Sequence, residues 1–256
     1  MQALVLDFDG VLADSAPECF EVALRTYDDL FQSESLRRLE QKALYHGFLE
    51  LMPLGNRAED FGVALAALDA GVALPDQKAY DAFRDARPIG WLEAFHHRFY
   101  EQRAAFAEAD PAGWRALTPP YAFFLAVLRR HVGRVRLAVA TAKDRRSVRT
   151  LLVDWGVADL FPEELVLDKE TGHSKGEHLL ALRDRLGLPF PELSFVDDKV
   201  SHLDAVSPLG VRCALAAWGY NGPREQARAH ARGYLVCGPA DVEALLFGPE
   251  PSQKEA

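Results

Sequence analysis

Two carboxylates, Asp7 and Asp9, follow the apolar run Ala3-Leu4-Val5-Leu6 and precede Gly10. In extended chain, residues two apart share one face, and Gly10 permits a sharp turn directly after them. Like charges this close repel unless a cation or a proton lies between them. A second acidic pair, Asp197-Asp198, closes the apolar run Leu193 to Val196. Thr141 closes the run Val135 to Ala140. Its hydroxyl, with the backbone N–H groups of Thr141 and Ala142, would stand at the opening of the next helix, where anions bind readily. Lys175 follows Ser174 at the start of another helical stretch. A cation there opposes the helix dipole, so helix stability does not explain it. Gathered in one place, four carboxylates require a divalent cation, and oxygen-only ligands favour Mg²⁺, which keeps waters and binds substrate phosphate. Each feature also has a plainer explanation: solvated strand ends for the acids, an N-cap for Thr141, and a dipole-stabilised helix start for Asp197-Asp198.

The elements that would gather them are readable from periodicity. Short apolar runs at 3–8, 135–140, 165–167, 193–196 and 212–217 alternate with helical patterns at 145–155, 175–186 and 200–209. Buried strands alternating with helices predict an α/β fold with a Rossmann-like parallel sheet. In such sheets, sites form beyond the carboxyl ends of the strands, where the acids, Thr141 and Lys175 fall. A short strand at 234–237 and a helix at 240–247 close the pattern. More than 100 residues separate the first two strands. That interval carries helical patterns at 18–30, 36–51, 57–68, 80–86 and 91–108, broken at Pro53–Asn56, Gly71, Pro75, Pro88–Gly90 and Thr118–Pro120. The simplest account is an α-helical cap inserted after the first strand. The expected division is a core of residues 1–14 and 118–248, a cap at 15–117 and a flexible tail at 249–256.

Composition narrows the classes. About half of the 256 residues are apolar (49%), enough for a sizeable core. The net charge of −9 carries no footprint for nucleic acid, although a bound cation can reverse the local field toward an anionic substrate. Three scattered cysteines, Cys19, Cys213 and Cys237, have no CxxC spacing and read as packed small residues in a reducing compartment. No membrane span and no signal peptide stand out, so a cytoplasmic location is the expectation.

The order Asp-x-Asp, Thr, Lys, Asp-Asp resembles the haloacid dehalogenase-like (HAD) hydrolase superfamily. The motifs span residue 3 to about 218, with Val11 where the family usually carries Thr. Ala217-Trp218-Gly219-Tyr220, followed by Gly233-Tyr234-Leu235, looks like the phosphoglycolate phosphatase-like branch, which carries a helical cap after the first motif. The resemblance implies a Mg²⁺-dependent phosphatase acting on a small phosphorylated metabolite through an aspartyl-phosphate. It implies that Asp7 is the nucleophile, Asp9 the general acid and base, Thr141 and Ala142 phosphate contacts, and Lys175 a partner of nucleophile and phosphate. The metal would take Asp7, the Asp9 carbonyl and Asp198, with Asp197 supporting. His202 stands where the family often has an acid or Asn, either hydrogen-bonding a metal-bound water or lying on the surface. Asn56 and Arg57 are candidates for reaching a substrate's second anionic group, against a solvated arginine at a helix start. His96-His97, adjacent on a helix, point apart and do not suggest a shared metal. Phe95, Phe99 and Phe106 have the spacing of a packed stripe. A phosphomutase of the same superfamily, or a silent HAD-like binding scaffold, are the alternatives. A dehalogenase normally lacks the Asp9 acid, and a phosphonate hydrolase usually has Ala there.

Overall fold

The computed structural model describes residues 1–55, 57–172 and 174–248. Contact density divides the chain into two compact units, Met1–Ala13 with Pro120–Ala256, and Asp14–Pro119. The expectation for residues 249–256 lies outside the described residues.

The first unit opens with β1 (Ala3–Leu6), whose four residues are all buried. The inserted unit carries α1 (Ala16–Phe31), α2 (Glu34–Arg38), α3 (Gln41–Leu51), α4 (Ala58–Asp69), α5 (Gln77–Asp85), α6 (Trp91–Ala109) and α7 (Pro111–Ala116). The first unit then resumes with α8 (Ala122–Arg130), β2 (Arg136–Ala140), α9 (Arg145–Asp154), β3 (Val166–Leu167), α10 (Lys175–Leu186), β4 (Leu193–Asp197), α11 (Val200–Val206), β5 (Arg212–Ala216), α12 (Pro223–Ala231), β6 (Leu235–Cys237) and α13 (Val242–Phe247).

The six strands form one all-parallel sheet in the order β3-β2-β1-β4-β5-β6. This is the expected α/β, Rossmann-like architecture. Central parallel strands are covered on both faces, which is why they read as unbroken apolar runs rather than as alternation. Ala3 and Val5 of β1 pack with Ala138, Ala140, Phe195, Leu215, Leu179, Leu182 and Leu203 in one buried cluster. Leu6 is level with Val139 of β2 and Val196 of β4. The chain order reverses around β1, with β2 on one side and β4 on the other, so a crevice opens at its carboxyl end. The strand tips that flank it carry Asp7, Thr141 and Asp197.

The helical unit is held by packed rings and one buried ion pair. Phe95 and Phe99 are fully buried and Phe106 nearly so, as their spacing predicts. Phe61 lies 5.7 Å from Phe48 and 5.6 Å from Phe99, centroid to centroid. Arg103 on α6 grips the buried Glu18 on α1 with two hydrogen bonds of 2.6 Å each. His96 Nδ1 turns to Glu59 Oε2 at 2.7 Å, while His97 faces Glu93, so the two rings do diverge. The helical pattern at 36–51 is split, because Leu39 and Glu40 adopt extended backbone between α2 and α3. Helices α7, α8 and α12 lie outside the helical patterns read from the sequence; α7 and α12 begin at Pro111 and Pro223, and α8 begins just after the Thr118–Pro120 break. Among the described residues no helix is long and apolar enough to cross a membrane.

Candidate active site

Strand β1 stops at Leu6, yet the Asp7 N–H still donates to Val196 O at 2.9 Å. The chain then turns sharply: the Leu12 and Ala13 N–H groups both donate to Phe8 O, and the Gly10 N–H donates to Ala13 O. Asp7 and Asp9 therefore leave the strand end in a tight loop and meet different cations. Asp7 Oδ1 lies 2.7 Å from Lys175 Nζ and also accepts the Phe8 N–H at 2.7 Å. Asp9 Oδ1 lies 3.1 Å from Lys143 Nζ.

Lys175 comes from the first turn of α10, whose N-cap is Ser174. It is buried, and its ammonium also donates to Ala140 O at 2.7 Å and faces Asp197 Oδ2 at 3.4 Å. It thus joins the ends of β1, β2 and β4. Burial works against its charge, but Asp7 and Asp197 together hold its pKa above the ordinary value.

Thr141 is buried at the tip of β2. Its hydroxyl oxygen accepts the Lys143 N–H at 3.1 Å. It does not cap α9; Asp144 does, accepting the Ser147 N–H at 2.8 Å. Ala142 is exposed.

The second acidic pair is divided between two tasks. Asp197 is fully buried and contacts Lys175, the Lys199 N–H at 2.9 Å and His202 Nδ1 at 3.0 Å. Burial alone would raise its carboxyl, but His202 and Lys175 outweigh it and leave it below the usual carboxylate range. Asp7, Asp197 and His202 offer ligand atoms within 4.8 Å of one another. Asp198, also buried, is held on the other side by the Tyr220 N–H, 2.8 Å from Oδ2. Its backbone carbonyl accepts from Asn221 Nδ2 at 3.1 Å. The 216–221 loop is itself pinned by Trp218 Nε1, which donates to Val11 O at 3.2 Å.

Two glycines make room for Asp198. A Cβ on Gly10 would lie 2.3 Å from Asp198 Oδ2, and Gly10 has a φ of +78°. A Cβ on Gly219 would lie 2.4 Å from both the Asp198 Cβ and the Gly10 carbonyl. Gly10→Ala is therefore expected to displace the Asp198 carboxylate and strain the turn after Asp9. Turnover should fall at least about tenfold, the effect of roughly 1.4 kcal/mol on the barrier. Steady-state rates with an intact far-UV circular dichroism spectrum check this; wild-type turnover would show that Asp198 has room to move.

Asp7, Asp197 and Asp198 are all buried. The ammonium of Lys175 touches only the first two of them among the described contacts. Burial, with Asp197 adding repulsion, pushes the Asp7 carboxyl up to about 6 despite Lys175. The same causes push Asp198 well above its usual range. This excess of buried negative charge, presented by oxygen, is what a hard divalent cation offsets. His202 was read as a surface residue or a partner of a metal-bound water. The first turn of α11 brings its ring, partly buried, onto the Asp197 carboxylate at 3.0 Å.

Arg57 is exposed at the start of α4, and its backbone N–H donates to Asp60 Oδ2 at 3.0 Å. Asn56 lies outside the described residues.

Sequence reasoning passed over Lys143 and Asp168. Asp168 is buried just beyond β3; it accepts the Arg145 N–H at 3.2 Å and the Thr171 hydroxyl at 2.6 Å. It ties the loop after Thr141 to the loop that leads to Lys175. The signal was available: β3, like its neighbours, ends on a polar side chain. For Lys143 the available signal was the argument applied to Lys175, a cation just ahead of a helix.

Residues 1–210 match the family model described as haloacid dehalogenase-like hydrolase. The chain belongs to that family. Solved structures of HAD-like proteins share its fold over nearly its whole length. A Lactobacillus delbrueckii subsp. bulgaricus protein, named as a prediction for phosphoglycolate phosphatase activity, superposes with a TM-score of 0.72 at 14% identity, covering 97% of this chain and 99% of its own. A predicted phosphoglycolate phosphatase from Haemophilus somnus 129PT gives 0.63 at 18% identity, covering 96% and 97%. A predicted phosphatase from Clostridium acetobutylicum gives 0.62 at 14%, covering 97% and 99%. At these identities the likeness establishes the fold. Among curated proteins, none matches this chain in sequence.

Proposed function

We propose that this HAD-like hydrolase is a Mg²⁺-dependent phosphatase that cleaves a small-molecule phosphomonoester through an aspartyl-phosphate on Asp7. The observation that carries the reading is the Asp7 carboxylate at the tip of the central strand, 2.7 Å from a buried ammonium that also reaches Asp197 and the carbonyl next to Thr141. The names of similar structures, which include phosphoglycolate phosphatases and a phosphatase, agree with it. The three buried, widely spaced cysteines suit a reducing, cytoplasmic setting.

In the first step Asp7 attacks phosphorus, and the bond from phosphorus to the leaving oxygen breaks. Asp9 gives that oxygen its proton. In the second step Asp9 takes a proton from water, which attacks phosphorus and expels the Asp7 carboxylate, releasing inorganic phosphate. Lys175 stands against the negative charge that Asp7 and the phosphoryl group share, and the Thr141 hydroxyl holds a phosphoryl oxygen. Asp7, Asp197, Asp198 and the Asp9 carbonyl would hold Mg²⁺. When bound, the cation neutralises charge between nucleophile and phosphate.

Stripping divalent cations with a chelator is expected to abolish turnover of p-nitrophenyl phosphate. Excess Mg²⁺ should restore it and an equal ionic strength of KCl should not. Full activity in the presence of chelator would reject the metal requirement.

A further inference from the structure

A buried cation beside Asp9 has no task in that mechanism. Lys143 lies on the loop between β2 and α9, and its side chain is 0% exposed. Removing an ammonium from water costs several kcal/mol unless its partner repays it. The position does not favour it either, because Asp144 caps α9 and the helix dipole opposes a cation beside that end. Its ammonium lies on Asp9 Oδ1 at 3.1 Å, while the Asp9 side chain keeps 33% of its exposure. Its own backbone N–H fixes the Thr141 hydroxyl oxygen. One residue therefore ties the carboxylate that moves protons to the loop that receives the phosphate.

We infer that Lys143 is a positioning residue for proton transfer, holding the Asp9 carboxylate in the orientation that serves the leaving oxygen. It touches neither phosphorus nor the leaving group and acts through Asp9. The inference rests on the phosphatase reading. Its consequence is chemical selectivity, since protonation of a leaving group matters in proportion to that group's basicity. A 2,4-dinitrophenolate departs without a proton, whereas an alkoxide needs one.

The test compares kcat/KM for 2,4-dinitrophenyl phosphate, p-nitrophenyl phosphate and an alkyl phosphomonoester such as glycerol 3-phosphate, all with Mg²⁺. Lys143→Met should slow the alkyl ester at least about 100-fold more than the dinitrophenyl ester, the low end of what a general acid contributes. Asp9→Asn should show the same selectivity. The double variant should be no slower on the alkyl ester than Asp9→Asn alone, because the two act as one unit. Equal losses on all three esters, or losses that multiply in the double variant, would overturn the inference and mark Lys143 as structural. Should Lys143→Met fail to fold, Lys143→Gln carries the same comparison, its amide keeping a hydrogen bond without the charge. If the wild type turns over none of the esters, the phosphatase reading itself fails. If the wild type and Asp9→Asn differ in selectivity and the Lys143 variants do not, only the role of Lys143 fails.

Discussion

Asp7→Asn is expected to lower kcat on p-nitrophenyl phosphate by on the order of 10⁴-fold or more, the scale of losing a covalent nucleophile. An amide cannot form the acyl phosphate, and nothing nearby replaces it in geometry. Asp197 ends β4 and is bound to Lys175, His202 and the Lys199 N–H, and Asp198 is turned toward Tyr220. Stability should hardly change. The amide oxygen can still accept from Lys175, and the substitution removes a buried charge that burial and Asp197 already oppose. The check is a rate measurement beside a thermal melt. A variant that melts like the wild type and turns over at an unchanged rate would defeat the nucleophile assignment; one that fails in both would have tested only the fold.

Lys175→Met should damage both properties. In the wild type the ammonium sits between Asp7, Asp197 and the Ala140 carbonyl. Without it, two carboxylates remain buried side by side. Removing one partner of a buried pair costs about 3–5 kcal/mol, because the charge left behind keeps its desolvation penalty. Urea unfolding of the metal-free protein is expected to show a loss in that range, with an unchanged m-value. Turnover with Mg²⁺ should fall at least about 100-fold, since the group that offsets charge at the phosphoryl transfer is gone. A loss of activity with no loss of stability would mean that water or His202 already compensates the acids. Unchanged activity would remove Lys175 from the site.

What could be read before the structure was the sheet and the residues at its tips. The runs at 3–8, 135–140 and 193–196 are legible because a strand buried on both faces must be apolar throughout, and a polar residue then marks where it ends. That argument delivers Asp7, Thr141 and Asp197 together, once β1 lies between β2 and β4. It does not deliver partners. The pairing of Asp7 with Lys175 and of Asp9 with Lys143 depends on how a tight loop rotates two side chains that extended chain would put on one face. The different tasks of Asp197 and Asp198 depend on contacts made by Tyr220 and His202, residues that sequence spacing does not bring together. Gly219 illustrates the limit: its neighbours in sequence carry a resemblance, but its close approach to Asp198 and the Gly10 carbonyl is a fact of three dimensions. Helices were legible where apolar spacing is long, as in α6 and α10. They were missed where a short helix begins at a proline or just after one, as at α7, α8 and α12.

The most direct measurement is chemical trapping of the phosphorylated protein. Acid quench during turnover of p-nitrophenyl phosphate with Mg²⁺, followed by borohydride reduction and peptide mass spectrometry, converts an acyl phosphate at an aspartate to homoserine. The account predicts homoserine at position 7 alone, and only in samples that received substrate. Homoserine at position 9, 197 or 198 in its place, or none at any position while substrate is being consumed, would contradict it.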